Sequence, residues 1–444
     1  MLFHFDQLIR QIFHCCVYMF YLVLRQFRIG IPTLQSRKTM HTNRFFKNTF
    51  PDYDGTTSFI DDDGSLKNEL KIYVKSNFTR LFDHWQQHLN TFLQTNDSSV
   101  YTGMTGAAIL YLKIFESKIF PNPESYLHKA NELIEIGLKN FHRIQVPTYL
   151  CGEIGLLATA TLIYYYQNKD YGQLLNSILS IHSNVCCIES NLPDEILYGR
   201  AGYLYTLLLL RSKIPNLHSL ITDDMIRQVI CAILESGKKT TKNLHSKWPL
   251  TYVWYDEHYV GAAHGYAGIL YLLLKSIQHI CSQELQTLIL PTLNMIVDTQ
   301  FQSGNFPACL AENEDKLVHW CHGSPGLIYL LATAQSIFKD EKYLQAALKA
   351  GDNIWRRGLL RKGYGLCHGT AGNAYAFLCL YTLTNDQKHL YRAIKFTEWC
   401  CSYGQHGCRT PDTPYSLFEG MAGTLYFFLD IINPFEAGFP ALQL

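Results

Sequence analysis

Two short stretches pair a thiol with an imidazole: Trp320-Cys321-His322-Gly323-Ser324-Pro325-Gly326 and Leu366-Cys367-His368-Gly369-Thr370-Ala371-Gly372. The two Cys-His-Gly-x-x-Gly copies lie 46 residues apart. Thiolate sulfur and imidazole nitrogen suit zinc, which they bind at about 2.3 Å and about 2.0–2.1 Å. Four such ligands close a structural site, whereas three leave a position open for chemistry. Pairs this far apart do not fold around a metal as a local finger does, so the fold must bring them together. On residue types alone, Cys321, His322, Cys367 and His368 are all ligand candidates. Another histidine, His264, ends the run Gly261-Ala262-Ala263-His264-Gly265. Imidazole titrates near neutral pH and is suited to moving a proton. The plainer alternatives are buried cysteines packing as small apolar groups and histidines at helix starts.

The elements that must position these residues announce themselves by repetition. Gly-x-x-Gly followed by an apolar run begins at Gly103, Gly152, Gly199, Gly265, Gly323, Gly369 and Gly420. Chance placement of this glycine content gives roughly two such pairs, and recurrence at a near-constant period signals a repeat architecture. An eighth pair, Gly404 and Gly407, has no apolar run behind it and reads as chance. The spacings are 49, 47, 66, 58, 46 and 51 residues, room for two helices per repeat. The run after each pair is apolar nearly all round, which predicts a buried inner helix. The gaps carry amphipathic spacing, which predicts outer helices over 65–94, 123–141, 171–188, 222–236, 282–302, 341–359 and 386–403. Thr222-Asp-Asp, Asp340-Glu and Asn385-Asp386 supply capping residues at three of these starts. Closing seven inner and seven outer helices into a ring gives an all-α, α/α toroid. The glycine pairs would then crowd seven helix starts around one mouth, with their partial positive charges pooled there for an anion.

The composition agrees with such a body. Of 444 residues, 48% are apolar, and the formal net charge of +1 comes without a long basic run. That argues against a nucleic-acid partner. Fourteen cysteines at scattered spacings read as free thiols and metal ligands of a cytoplasmic protein rather than as a disulfide frame. Cys186-Cys187 and Cys400-Cys401 read as packing. Residues 1–40 form an apolar extension, and residues 41–444 hold the toroid. The run 12–24 (IFHCCVYMFYLVL) is too short to span a bilayer, which needs about 20 residues. It is read as a dispensable extension upstream of Met40, with a membrane-surface anchor acylated at Cys15 or Cys16 and a signal anchor as the alternatives. Residues 43–64 read as an irregular arm.

The seven glycine repeats resemble the LanC-like family of eukaryotic LanC-like proteins and bacterial lanthionine cyclases. So do GAAHG at 261–265, WCHG, GLCHG and Arg409-Thr410-Pro411-Asp412-Thr413-Pro414. The resemblance runs from about Asn43 onward and favours the eukaryotic branch. It implies the α/α toroid. It also implies one zinc ion held by Cys321, Cys367 and His368, leaving His322 as a cavity residue. His264 matches the family's acid/base histidine. Lys362, Arg409, Thr410, Pro411 and Asp412 match positions that hold glutathione, with Arg44 a weaker candidate. Glu195 aligns roughly with an acidic residue of the bacterial cyclases. Those enzymes carry an arginine before the first zinc cysteine and a tyrosine after it. Here the chain has His319 and His322, which argues against bacterial ring cyclisation.

The activity so implied is zinc-dependent addition of glutathione to dehydroalanine or dehydrobutyrine in proteins and peptides. A zinc- and glutathione-binding adaptor for kinases or other signalling proteins, without catalysis, is the alternative. A toroidal glycosidase would need paired carboxylates at the mouth, where this chain places Cys and His.

Overall fold

Each glycine pair opens a helix buried on nearly every side, and each gap supplies helices with one buried stripe. The computed structural model describes residues 44–90, 94 and 96–444. The extension 1–40, with its apolar run, lies outside the described residues. In chain order the helices are α1 (Asn68–Gln87), α2 (Met104–Ser117), α3 (Pro123–Lys139), α4 (Glu153–Tyr166) and α5 (Gly172–Ser180). There follow α6 (His182–Cys186), α7 (Arg200–Lys213), α8 (Asp223–Asn243), α9 (Tyr266–Lys275) and α10 (Leu290–Val297). The last five are α11 (Ser324–Phe338), α12 (Glu341–Arg357), α13 (Thr370–Thr384), α14 (Gln387–Cys401) and α15 (Met421–Asp430).

The inner layer is α2, α4, α7, α9, α11, α13 and α15. Each packs on the next, and α15 returns to α2, which closes the ring. In α2 every residue from Met104 to Leu112 is buried. In outer α12 the buried set is a stripe that includes Tyr343, Ala346, Ala347, Ala350 and Ile354. That is the i, i+3, i+4 pattern of one covered face. The expected α/α toroid, seven inner and seven outer positions, is thus the architecture.

The caps fall where the sequence puts them. Thr222, Asp340 and Asp386 accept the backbone N–H of Met225, Lys342 and Lys388. Two outer helices depart from expectation. The stretch 171–188 breaks at Ile181 into α5 and α6. The stretch 282–302 contains a π-helical segment, Leu285–Ile289, just before Pro291. Proline has no N–H to close the ordinary turn, and a wider turn absorbs the loss. Among the twelve free thiols of the described residues, Cys400 and Cys401 are buried as packing groups, but Cys187 is exposed.

The glycines do more than crowd neighbouring helix starts. The loop before each inner helix doubles back over the helix's own first turn. A Cβ on Gly155 would lie 1.9 Å from the Tyr149 carbonyl oxygen, and one on Gly372 1.8 Å from that of Leu366. The helix N–H groups donate into this loop: Arg200 N–H to Pro193 O at 2.9 Å, Tyr266 N–H to Tyr259 O at 3.1 Å, Met421 N–H to Pro414 O at 2.8 Å. These donors are therefore spent inside the fold. The expectation of seven open helix starts pooled as an anion site is corrected accordingly; the charge at the mouth comes from side chains.

A cavity of about 760 Å³ lies at the other end of the ring, lined by Tyr271, Tyr329, Tyr375 and Lys275. Phe439 enters the ring there and stacks on Trp320 at 4.9 Å between ring centroids. Among the described residues, no helix is long and apolar enough to cross a membrane.

Candidate active site at the mouth of the ring

One register organises the chemistry. Two residues before the first glycine of each pair stand Tyr101, Leu150, Leu197, Ala263, Cys321, Cys367 and Phe418. One residue before it stand Thr102, Cys151, Tyr198, His264, His322, His368 and Glu419. The first set is laced by backbone hydrogen bonds from loop to loop. Cys321 N–H donates to Cys367 O at 3.3 Å, Cys367 N–H to Phe418 O at 2.8 Å, Phe418 N–H to Tyr101 O at 3.1 Å, and Tyr101 N–H to Leu150 O at 2.9 Å. Residues distant in sequence thereby become neighbours on one rim.

The loops of the fifth and sixth repeats meet where their cysteines do. The ligand atoms of Cys321, Cys367 and His368 lie within 4.8 Å of one another, both cysteines buried and the histidine half-buried. Tetrahedral ligands of zinc sit about 3.5–3.8 Å apart, so this donor set needs little contraction to hold the ion. Two thiols and one imidazole are the right donor chemistry, and three ligands leave a fourth position open. Hydrogen bonding from Cys367, with Lys362 nearby, holds the Cys321 thiol below its ordinary range. Burial pushes the Cys367 thiol well up, and the hydrogen bond with Cys321 adds to it. Tyr101, half-buried, hydrogen-bonds Cys367.

Beside this cluster stands a carboxylate–imidazole pair. Glu195 Oε2 lies 3.0 Å from His264 Nδ1. The Glu195 side chain is 2% exposed and is pinned by the N–H groups of Leu197 at 2.8 Å and Tyr198 at 2.6 Å. With Nδ1 on the carboxylate, Nε2 is the nitrogen left for chemistry. His322 lies between the pair and the thiols. Its ring is 6.4 Å from that of His264 and 5.4 Å from that of Tyr259. Burial, with His264, Lys362 and His368 adding, lowers its pKa to about 3. It is a neutral imidazole at pH 7, and its buried Nδ1 has no hydrogen-bond partner among the described residues.

The family profile of lanthionine synthetase C-like proteins matches residues 94–444. The glutathione S-transferase LANCL1 of Danio rerio is 42% identical over 412 residues, spanning 91% of this chain and all of that protein. The chain belongs to the lanthionine synthetase C-like family. Nisin cyclase shares the fold, with a TM-score of 0.58 at 16% identity, over 82% of this chain and 94% of that one.

In this LanC-like chain the glutathione candidates form a second group on the rim. The arm, the loop before α13 and the segment before α15 run side by side: Arg361 N–H donates to Arg44 O at 3.1 Å and Arg409 N–H to Arg361 O at 2.8 Å. Pro411 borders the left-handed Gly363, next to Lys362. Lys362 is exposed yet close enough to act on Cys321 and His322. Arg409 and Asp412 pair at 2.7 Å and are largely exposed, with Thr410 exposed between them. Arg44 reaches the field of His319, a neighbour of the Cys321–Cys367–His368 cluster.

Sequence reading missed several residues of the mouth. Buried His319 faces the His368 ring at 6.0 Å. Arg361 joins the basic rim by its backbone. Tyr198 and Trp254 lie against His264, both at 6.2 Å between centroids. For Tyr198 the register was available: it stands one residue before a glycine pair, as His264 does. Trp254 carried no such mark, because a turn brings it over the mouth.

Proposed function

We propose that this LanC-like chain joins the thiol of glutathione to dehydroalanine or dehydrobutyrine residues in peptides and proteins, with zinc as its metal. The observation that carries the reading is a three-ligand Cys321–Cys367–His368 cluster set beside the Glu195–His264 pair. The name of the Danio rerio relative, a glutathione S-transferase, supports the choice of thiol.

Zinc bound by those three residues would supply a low-pKa site for a thiol, since a coordinating thiol is deprotonated outright. The chain's own groups do the rest. Lys362, Arg409 and Arg44 present positive charge for the two carboxylates of glutathione, and Asp412 suits its amino group. The thiolate adds to the β-carbon of the alkene, forming the C–S bond and moving the π pair toward the α-carbon and its carbonyl. That enolate needs one proton at the α-carbon. His264 Nε2 delivers it, and the Glu195 carboxylate stabilises the imidazolium beforehand and holds the ring in place. Neutral His322 can hydrogen-bond the acceptor without competing as an acid. The product is a thioether, so a reactive electrophile is removed.

The test is to incubate the zinc-loaded protein with glutathione and a dehydroalanine peptide, following the mass gain of one glutathione. Metal analysis of the same sample should give one zinc per chain. Tight glutathione binding without product would sink the catalytic reading and leave the adaptor.

A further inference from the structure

The mouth has a side that no step above uses. Between α8 and α9 the chain folds into a tight hairpin in which Trp254 and Glu257 exchange both backbone hydrogen bonds at 3.0 Å. The two residues at its tip, Tyr255 and Asp256, both have left-handed backbones, with φ of 46° and 60°. Such a turn normally takes Asn-Gly, because a side chain pays for positive φ. Neither tip residue is glycine or asparagine, so the strain is tolerated for what the side chains do. Tyr255 is 68% exposed, the most exposed large apolar side chain among the described residues. Asp256 is exposed and makes no ion pair among the described residues.

This tip is joined to the candidate acid by continuous ring contact. Tyr255 meets Trp254 at 4.5 Å between centroids, and Trp254 meets His264 at 6.2 Å. Tyr198, 37% exposed, stacks on Trp254 at 5.6 Å. The result is a slab of aromatic faces running from solvent to His264, with a free carboxylate at its outer edge. Aromatic faces attract cations, and Asp256 adds an opposite charge on the same edge. The basic rim of Arg44, Lys362 and Arg409 is a separate feature, argued above as the place for an anion.

We propose that the hairpin 254–257 is a specificity shelf that seats a lysine or arginine side chain of the acceptor peptide close to its dehydro residue. A strand advances about 3.3 Å per residue, so the two ring contacts place that basic side chain one to three residues away. The inference rests on the mouth being the site that takes a dehydroamino-acid peptide. The shelf is a positioning surface and takes no part in bond making.

Binding and turnover are measured separately, so the two ideas fail separately. Peptides carrying serine in place of the dehydro residue cannot react. Calorimetry with the full-length zinc-loaded protein should find a lysine-flanked serine peptide binding roughly tenfold tighter than its glutamate-flanked and leucine-flanked counterparts. Tyr255→Asn removes the ring while keeping a residue that accepts positive φ, and Asp256→Asn removes the charge with the same safeguard. Each should erase most of the preference and leave zinc content and turnover of a small dehydroalanine amide unchanged. Equal binding of the lysine and glutamate peptides to the unmodified protein overturns the proposal. So does a lysine preference that survives both substitutions, or a leucine peptide that binds as well as the lysine one. A preference that persists while dehydroalanine peptides show no turnover keeps the shelf and removes the catalytic reading.

Discussion

The loops of the fifth and sixth repeats carry the same Cys-His-Gly motif in the same register, yet their histidines have different surroundings. His368 lies within reach of both cysteines. His322 lies against Tyr259 and His264 instead. The difference follows from the ring. The side chain one residue before each of these glycines leans back onto the preceding repeat: His264 onto Glu195, His322 onto Tyr259, His368 onto Cys321. Behind His368 stands a loop with a cysteine. Behind His322 stands a loop whose equivalent residue is Ala263. An identical motif therefore places one histidine in a candidate ligand cluster and the next as a neutral cavity imidazole. A motif's chemistry in a closed repeat depends on its neighbour as much as on itself.

The largest expected effect tests that asymmetry directly. Cys367→Ala should abolish zinc binding, and His322→Ala should keep close to one zinc per chain, both read by metal analysis of purified protein. Equal loss in the two would mean that the lean described above does not decide ligation. Next comes the proton. His264→Ala should retain zinc and glutathione but slow addition to a dehydroalanine peptide by about 10²–10⁴-fold, the scale of a lost general acid. Zinc loss in that variant would move His264 into the metal's support and break the division of labour between the fourth and sixth loops.

A smaller effect belongs to the basic rim. Lys362→Ala and Arg409→Ala should each raise the KM for glutathione by about tenfold, as the loss of one exposed charge-assisted contact does. The zinc content and the KM for the peptide should stay put. A fall in kcat with unchanged KM would place these residues elsewhere in the reaction. The smallest difference is expected where the two loops are alike. Cβ atoms on Gly326 and Gly372 would lie 2.2 Å and 1.8 Å from the Trp320 and Leu366 carbonyl oxygens. Gly326→Ala and Gly372→Ala should therefore cost a similar few kcal/mol, about 1–3 for overpacking, seen as matched falls in Tm. Unequal falls would show that the two loops differ as scaffold and not only in chemistry.

The toroid was legible because its cause is local. A glycine pair before an all-apolar run marks an inner helix, and seven recurrences leave few architectures. The cysteines and histidines of the candidate ligand cluster were legible as types, but the residues alone did not separate His322 from His368. That choice depends on which repeat each side chain leans against, and periodicity does not encode it. Glu195 was visible only through resemblance, since nothing in its own stretch shows that a histidine 69 residues later accepts its company. The break at Ile181 and the hairpin at Tyr255 were hidden for the opposite reason. Each is an irregularity, and pattern reading smooths irregularities away.

The Phe439 ring, resting on Trp320 beside Cys321, has a bearing on when the site can exist. Cys321 and Cys367 leave the ribosome well before the seventh repeat does. Yet the Cys367 backbone is tied to Phe418, and the floor under Cys321 is finished only by Phe439. The contacts that set both thiols therefore come from the last repeat as well as from their own loops. If the three residues hold zinc as proposed, their arrangement for it depends on the closed ring, not on the two motifs alone.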